Sequence, residues 1–290
     1  MRRRIPSALI LMSIALTAGA ADLATDGQVH SVVLPNANSG PATVAVAPDG
    51  RVWFTEGSGN RIGRMNADGT GIIEFPLPQP NSAPRIIALG ADGNMWFSEH
   101  SGNRIGRITP DGVITGFAIP TPASQPRAIA LGADGNIWFG EFASGKVGRI
   151  TPQGQITEFA LPTPDSGPRA LASGPDGNIW VSEFRASKIA RITPKGEITE
   201  FALPEKSPSP INIAVGPDRN IWYTRGSKVG RVTAEGRITE FELCEGVRGS
   251  GLSAGSDRQP PLRLGSRLYV ADGGGNRILW LQFEAVKSTP

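Results

Sequence analysis

The chain has 290 residues, with 29 lysines and arginines against 26 aspartates and glutamates, and 37 glycines, 25 prolines and one cysteine. That length can bury a sizeable core, and a lone Cys244 excludes an intramolecular disulfide. Three of the basic residues open the chain, and the remainder balances at 26 against 26, which excludes the basic surface that a nucleic-acid partner requires.

Arg2, Arg3 and Arg4 precede an apolar run, Ala8 to Leu16, that is too short to span a bilayer. Ala18-Gly19-Ala20 then supplies the small residues of a cleavage site. The pattern predicts a signal peptide over 1–20, cut after Ala20, and one domain over 21–290. The expected setting is export, to the periplasm or the medium. No later stretch is long and apolar enough to predict a membrane span.

From Gly27 onward the chain is written in short apolar runs separated by turn residues. Gly27 to Pro35 aligns with Gly196 to Pro204, so an orphan fourth strand stands ahead of the first complete copy. Copies then open after Pro41, Pro84, Pro126, Pro168 and Pro210, and Trp53, Trp96, Trp138, Trp180 and Trp222 fall 43, 42, 42 and 42 residues apart. In the fourth copy the predicted strands are Ala170 to Ser173, Asn178 to Glu183, Lys188 to Ile192, and Glu197 to Leu203. Asp-Gly steps such as Asp176-Gly177 make the hairpin turns, since glycine accepts positive φ.

A degenerate sixth copy survives as Leu268 to Asp272 and Asn276 to Ile278, after an irregular lead-in from Glu245 to Gly265. A period in the forties with four strands per unit predicts an all-β propeller. The count is six four-stranded blades, with the N-terminal strand closing the last.

In such a blade the entry to the first strand shares a face with the turn between the second and third strands. That face gathers two columns. After the entry proline stand Ala42, Arg85, Arg127, Arg169 and Ile211; three after the tryptophan stand Glu56, Glu99, Glu141, Glu183 and Arg225, with Asp272 in the sixth copy. The joint change to Ile211 and Arg225 suggests that the columns touch.

One expectation is three structural ion pairs, Arg85–Glu99, Arg127–Glu141 and Arg169–Glu183. The other is a ring of guanidinium groups, Arg85, Arg127, Arg169 and Arg225, offered to an anionic or carbonyl-rich ligand. Glu99 and Glu141 are the candidate ligands of a hard cation. His100 is the candidate acid–base residue, next to Glu99. His30 aligns with Thr199 and reads as a blade-surface residue, and the tryptophans read as packing between blades.

At Asp134-Gly-Asn-Ile-Trp-Phe139, Lys146-Val-Gly-Arg-Ile150 and Gln155-Ile-Thr-Glu-Phe159 the chain resembles the virginiamycin B (streptogramin) lyases. The resemblance covers nearly all of the chain beyond the leader. It implies a propeller, of seven blades in the type enzymes, that opens the ester of cyclic streptogramin B antibiotics by Mg²⁺-assisted elimination. The family's histidines sit in Pro-His steps that open inner strands, beside a carboxylate that helps hold the metal. The matching positions here are Ala42, Arg85, Arg127, Arg169 and Ile211, none of them histidine.

Three functions therefore stand open. The first is a propeller that binds a small-molecule or protein ligand on the entry face. The second is a lyase of the family's type, with Glu99, His100 and Glu141 forming the site around Mg²⁺. The third is a metal-dependent lactonase-like hydrolase, as in six-bladed relatives.

Overall fold

The computed structural model describes residues 28–206, 209–216, 218–242, 267–272 and 274–282. The expected leader, Cys244 and the lead-in 245–265 lie outside these residues. Among the described residues there are 23 strands in six antiparallel sheets. Five sheets hold four consecutive strands each, in chain order.

The sixth sheet joins Arg267–Asp272, Arg277–Gln282 and the N-terminal strand Gln28–Val33. The N-terminal strand pairs with the last one from Gln28 opposite Gln282 to Val33 opposite Arg277. The orphan strand thus takes the outer place of the last blade, as the alignment predicts. The innermost place of that blade falls outside the described residues.

Sheets meet chiefly through their first strands. Pro41–Val46 contacts Pro84–Leu89, which contacts Pro126–Leu131, which contacts Pro168–Ser173, which contacts Ile213–Val215. Pro41–Val46 also meets Arg267–Asp272 of the closing blade. The first strands, and the residues that lead into them, therefore surround the axis.

One aromatic device is repeated between blades. Trp53, Trp96, Trp138 and Trp180 are buried, and each stacks on the fourth-strand phenylalanine of its own blade at 5.4–5.9 Å between centroids. Arg64, Arg107, Arg149 and Arg191 lie over these rings. Each reaches a carbonyl in the next blade: Pro110, Pro152, Pro194 and Ala234. The indole N–H groups of Trp96, Trp138 and Trp180 donate back to Asp92, Asp134 and Asp176 of their hairpins.

The phenylalanines in turn sit on glycines of the following blade. A Cβ on Gly112, Gly154, Gly196 or Gly236 would overlap Phe75, Phe117, Phe159 or Phe201, and all four glycines have φ near +90°. At the closing joint Trp280 replaces the phenylalanine, packing on Gly69 and stacking on His30 at 5.3 Å. His30 is thus a packing residue of the closing blade.

Within each blade a third-strand glycine makes room for a second-strand ring. Gly63, Gly106, Gly148 and Gly230 lie under Phe54, Phe97, Phe139 and Tyr223, where a Cβ would overlap the ring. In the fourth blade both members change together, to Val181 and Ala190. Gly148→Ala should therefore destabilise by about 1–3 kcal/mol through overpacking. Adding Phe139→Val recreates the fourth-blade pair, so the double variant should cost less than the sum of the singles. Urea unfolding of all three variants measures the coupling, and additive costs would refute it.

Candidate active or binding site on the entry face

Each first strand begins with a bulge. Pro126 stands opposite Glu141 and Ala128 opposite Gly140, which leaves Arg127 as an extra residue. The same register shift follows Pro84 and Pro168, so it re-aims Arg85 and Arg169 as well. Backbone contacts between blades hold these positions. The hydroxyls of Thr43 and Thr55 both donate to the Arg85 carbonyl at 2.7 Å, and that of Ser98 donates to the Arg127 carbonyl at 3.5 Å.

The bulge explains why the expected Arg–Glu ion pairs do not form. Among the described residues no ion pair joins Arg85 to Glu99, Arg127 to Glu141, or Arg169 to Glu183. The glutamates instead turn into their own blades and are buried. Glu141 lies beside Ser144, Glu158 and Lys146, and Glu183 beside Glu200 and Lys188. Lys146 and Lys188 bind the outer carboxylates, Glu158 and Glu200.

The inner carboxyls are left short of partners. One oxygen of Glu141 and both oxygens of Glu183 are buried without a hydrogen bond. Burial, reinforced by the neighbouring carboxylates, pushes Glu141 up to about 7 and Glu183 to about 8. A proton on Glu183 turns it into a donor towards Glu200.

The joint change in the fifth blade has the same root. Arg225 is fully buried and pairs with Glu240 at 2.9 Å, the counterpart of Glu200, and also donates to the Glu205 carbonyl at 2.7 Å. Tyr223 donates to the same Glu240 at 2.7 Å. Arg225 is therefore a blade-internal cation, and the expected four-arginine ring reduces to three. Its partner is a fourth-strand carboxylate, whereas the sequence pattern suggested the entry position now held by Ile211.

Arg85, Arg127 and Arg169 do come together. Arg127 is lowered to about 10 by burial and by the charges of Arg169 and Arg85, and Arg169 is lowered by burial and by Arg85. His100 joins them: its ring lies 3.4 Å from the Pro126 carbonyl. Burial and the charges of Arg85 and Arg127 push its pKa down, so the imidazole is held neutral.

The residue that follows each glutamate completes the site. Phe142 lies under Arg127 at 5.1 Å and Phe184 under Arg169 at 4.9 Å. Arg185 covers Phe142 at 4.6 Å and pairs with Asp165. The sequence reading missed Phe142, Phe184 and Arg185. Their signal was one column further on, where Gly57, His100, Phe142, Phe184 and Gly226 follow the glutamates and Arg225. Arginine at the entry coincides with a ring there, and Ala42 and Ile211 coincide with glycine.

The residues fit a metal poorly. Glu99 faces Ser82 and Arg104 in the second blade, while Glu141 faces Ser144, Glu158 and Lys146 in the third. Among the described residues no three His, Cys, Asp or Glu side chains gather where one cation could be held. The Mg²⁺ that the resemblance implies thus has no matching ligand set in them.

The sequence matches the profile of the Virginiamycin B lyase family over residues 17–224 and 160–259. The chain belongs to this family. Virginiamycin B lyase from Staphylococcus aureus is 30% identical, covering 89% of this chain and 99% of that one, with a TM-score of 0.78. A catalytically inactive His-to-Ala form of the S. aureus enzyme, solved with quinupristin, is 37% identical over 76% of this chain and 75% of that one, at a TM-score of 0.72.

A virginiamycin B lyase from Nocardia farcinica is 42% identical over 57 residues, which span only 20% of that relative and 20% of this chain. A putative gluconolactonase, 20% identical over 88% of this chain and 92% of that one, with a TM-score of 0.58, shows a shared fold alone. Family membership thus meets an entry face that carries Arg85, Arg127 and Arg169 directly after the entry prolines of three blades.

The raised glutamates give this face a pH signature. Glu183 in the folded chain keeps a proton that the unfolded chain releases near 4.5. Its contribution to stability therefore falls as pH rises from about 4.5 to about 8. Glu200, held low despite burial by Lys188 and Thr163, acts in the opposite sense, but only at and below the usual carboxylate range. The melting temperature should decline across the Glu183 window, and Glu183→Gln should flatten the decline. Parallel pH profiles for parent and variant would show that Glu183 is not protonated in the fold.

Proposed function

We propose that the chain is an exported propeller that captures a small molecule at its axial entry face without transforming it. The observation that carries this reading is the state of Arg85, Arg127 and Arg169. The charges of Arg85 and Arg169 lower Arg127, that of Arg85 lowers Arg169, and none of the three has a carboxylate partner or spends a side-chain N–H on the protein among the described residues. Cations assembled against their own repulsion are arranged for something that arrives from outside. All three are half-buried beside the axis, a position that suits a small molecule better than a protein surface.

Catalysis has weaker support. Arginine stays protonated and serves badly as a general base. His100 is the one imidazole among these groups, and it stands beside two guanidiniums rather than beside a carboxylate.

A second reading, a streptogramin B lyase, is favoured by the family match. It requires His100 as base and Glu99 and Glu141 as metal ligands. The lactonase-like reading has only a shared fold behind it.

Incubation of the purified protein with quinupristin, with and without Mg²⁺, separates the first two. Elimination leaves the mass unchanged, so chromatographic retention and fragmentation must report ring opening. The expected outcome is an intact ring at high protein concentration. Mg²⁺-dependent opening that is abolished by His100→Ala and by Glu99→Gln would overturn the binding reading in favour of the lyase.

A further inference from the structure

The arginines of the second, third and fourth blades are prepared as well as collected. Arg127 and Arg169 lie over Phe142 and Phe184, and Arg185 also lies over Phe142. A guanidinium stacked on a ring keeps its plane fixed while its N–H edge stays free to donate. Behind the side chains, the Arg85 and Arg127 carbonyls are held by hydroxyls of the preceding blades. Among the described residues, none of the three guanidiniums donates a hydrogen bond or faces a carboxylate.

The cluster is also bounded. The first and fifth blades put Ala42 with Gly57 and Ile211 with Gly226 at the same two positions, so cation and ring are both withdrawn on either side. A repeat scaffold that needed arginine for its own stability would carry it in every blade. Among the five entries described, arginine is confined to three consecutive blades, the pattern of a sector built for a ligand.

We propose that this sector binds a multiply charged oxyanion, a phosphoryl or pyrophosphoryl group carried by a small molecule, through Arg85, Arg127 and Arg169. The proposal rests on the binding reading and sharpens it. Three cations gathered on one rim, two of them stacked on rings, are offset by a ligand whose charge is at least divalent and compact. A phosphoryl group meets both conditions, and its peripheral oxygens accept from several forks at once. A single carboxylate has one negative charge, and a polycarboxylate spreads its charge along a carbon frame. His100, neutral beside Arg85 and Arg127, adds a ring to the wall without competing for the anion.

The test is isothermal titration of the full chain with inorganic pyrophosphate and phosphate, and with citrate and acetate for comparison. One-to-one pyrophosphate binding is expected, weakening with salt and at least about tenfold tighter than acetate binding. Arg127→Gln and Arg169→Gln should each weaken it about tenfold or more. Phe142→Leu, which keeps the charge and loosens the plane, should weaken it by a smaller factor. Arg51→Gln removes one exposed cation from a hairpin of the opposite face and should leave binding unchanged.

Equal loss in Arg51→Gln and Arg127→Gln would reduce the effect to net charge and overturn the proposal. Citrate binding as tight as pyrophosphate binding would overturn the phosphoryl assignment. Absence of anion binding, with quinupristin held intact in an Arg127-dependent way, would sink the oxyanion and leave the binding reading standing. Ring opening of quinupristin would sink the binding reading itself.

Discussion

The contact on which this fold depends is an aromatic ring seated on a glycine of the next blade. A sheet with two apolar faces is not stable by itself, so each blade must bury a face against its neighbour. The fourth-strand phenylalanine does this at the outer edge, between its own tryptophan and a turn glycine one blade on. The arginine above it carries the contact across the joint by reaching the neighbouring carbonyl. Because ring, glycine and arginine recur together, each of these joints repeats the last. Where the chain ends must meet, Trp280 on His30 and Gly69 supplies the same wedge with different residues.

That outer stitching leaves the inner rim free to vary. The entry bulge is part of the repeat and appears in blades with arginine and in the first blade, which has alanine. The architecture therefore offers the same re-aimed position in blade after blade, and function consists of what is placed there. Arginine with a ring in three adjacent blades makes a cationic sector; alanine or isoleucine with glycine leaves the flanks plain. The inner glutamates belong to the blade interiors. Three stand beside a fourth-strand carboxylate, Glu56 by Glu74, Glu141 by Glu158 and Glu183 by Glu200, and Glu99 has Gly116 at that place. Arg225 resolves the same crowding in the fifth blade by changing sign.

Membership in the Virginiamycin B lyase family fixes the descent of the scaffold and leaves its chemistry to the rim. A family fold supports several functions because sites are set by a few side chains on a constant frame. Here the entry positions of three blades carry guanidinium groups, and that sets what chemistry the rim can do. An imidazole near neutrality can take up a proton, whereas a guanidinium can only donate hydrogen bonds and offset charge.

Much was legible in the sequence alone. The spacing of the tryptophans determined the blade period, and the orphan strand at Gly27 to Pro35 determined how the last blade is completed. The entry column singled out Arg85, Arg127 and Arg169, because a repeat makes departures from its own pattern visible. What only the tertiary structure decided was which of these residues meet. A one-residue bulge after the entry proline turns the arginines away from the glutamates, and spacing along the chain carries no trace of that shift. The partner of Arg225 is likewise set by register between the second and fourth strands, across Gly230, and not by distance in sequence. Periodicity is a local property that the chain writes directly; side-chain contact depends on register and on the room glycine leaves, which appear only when the strands are paired.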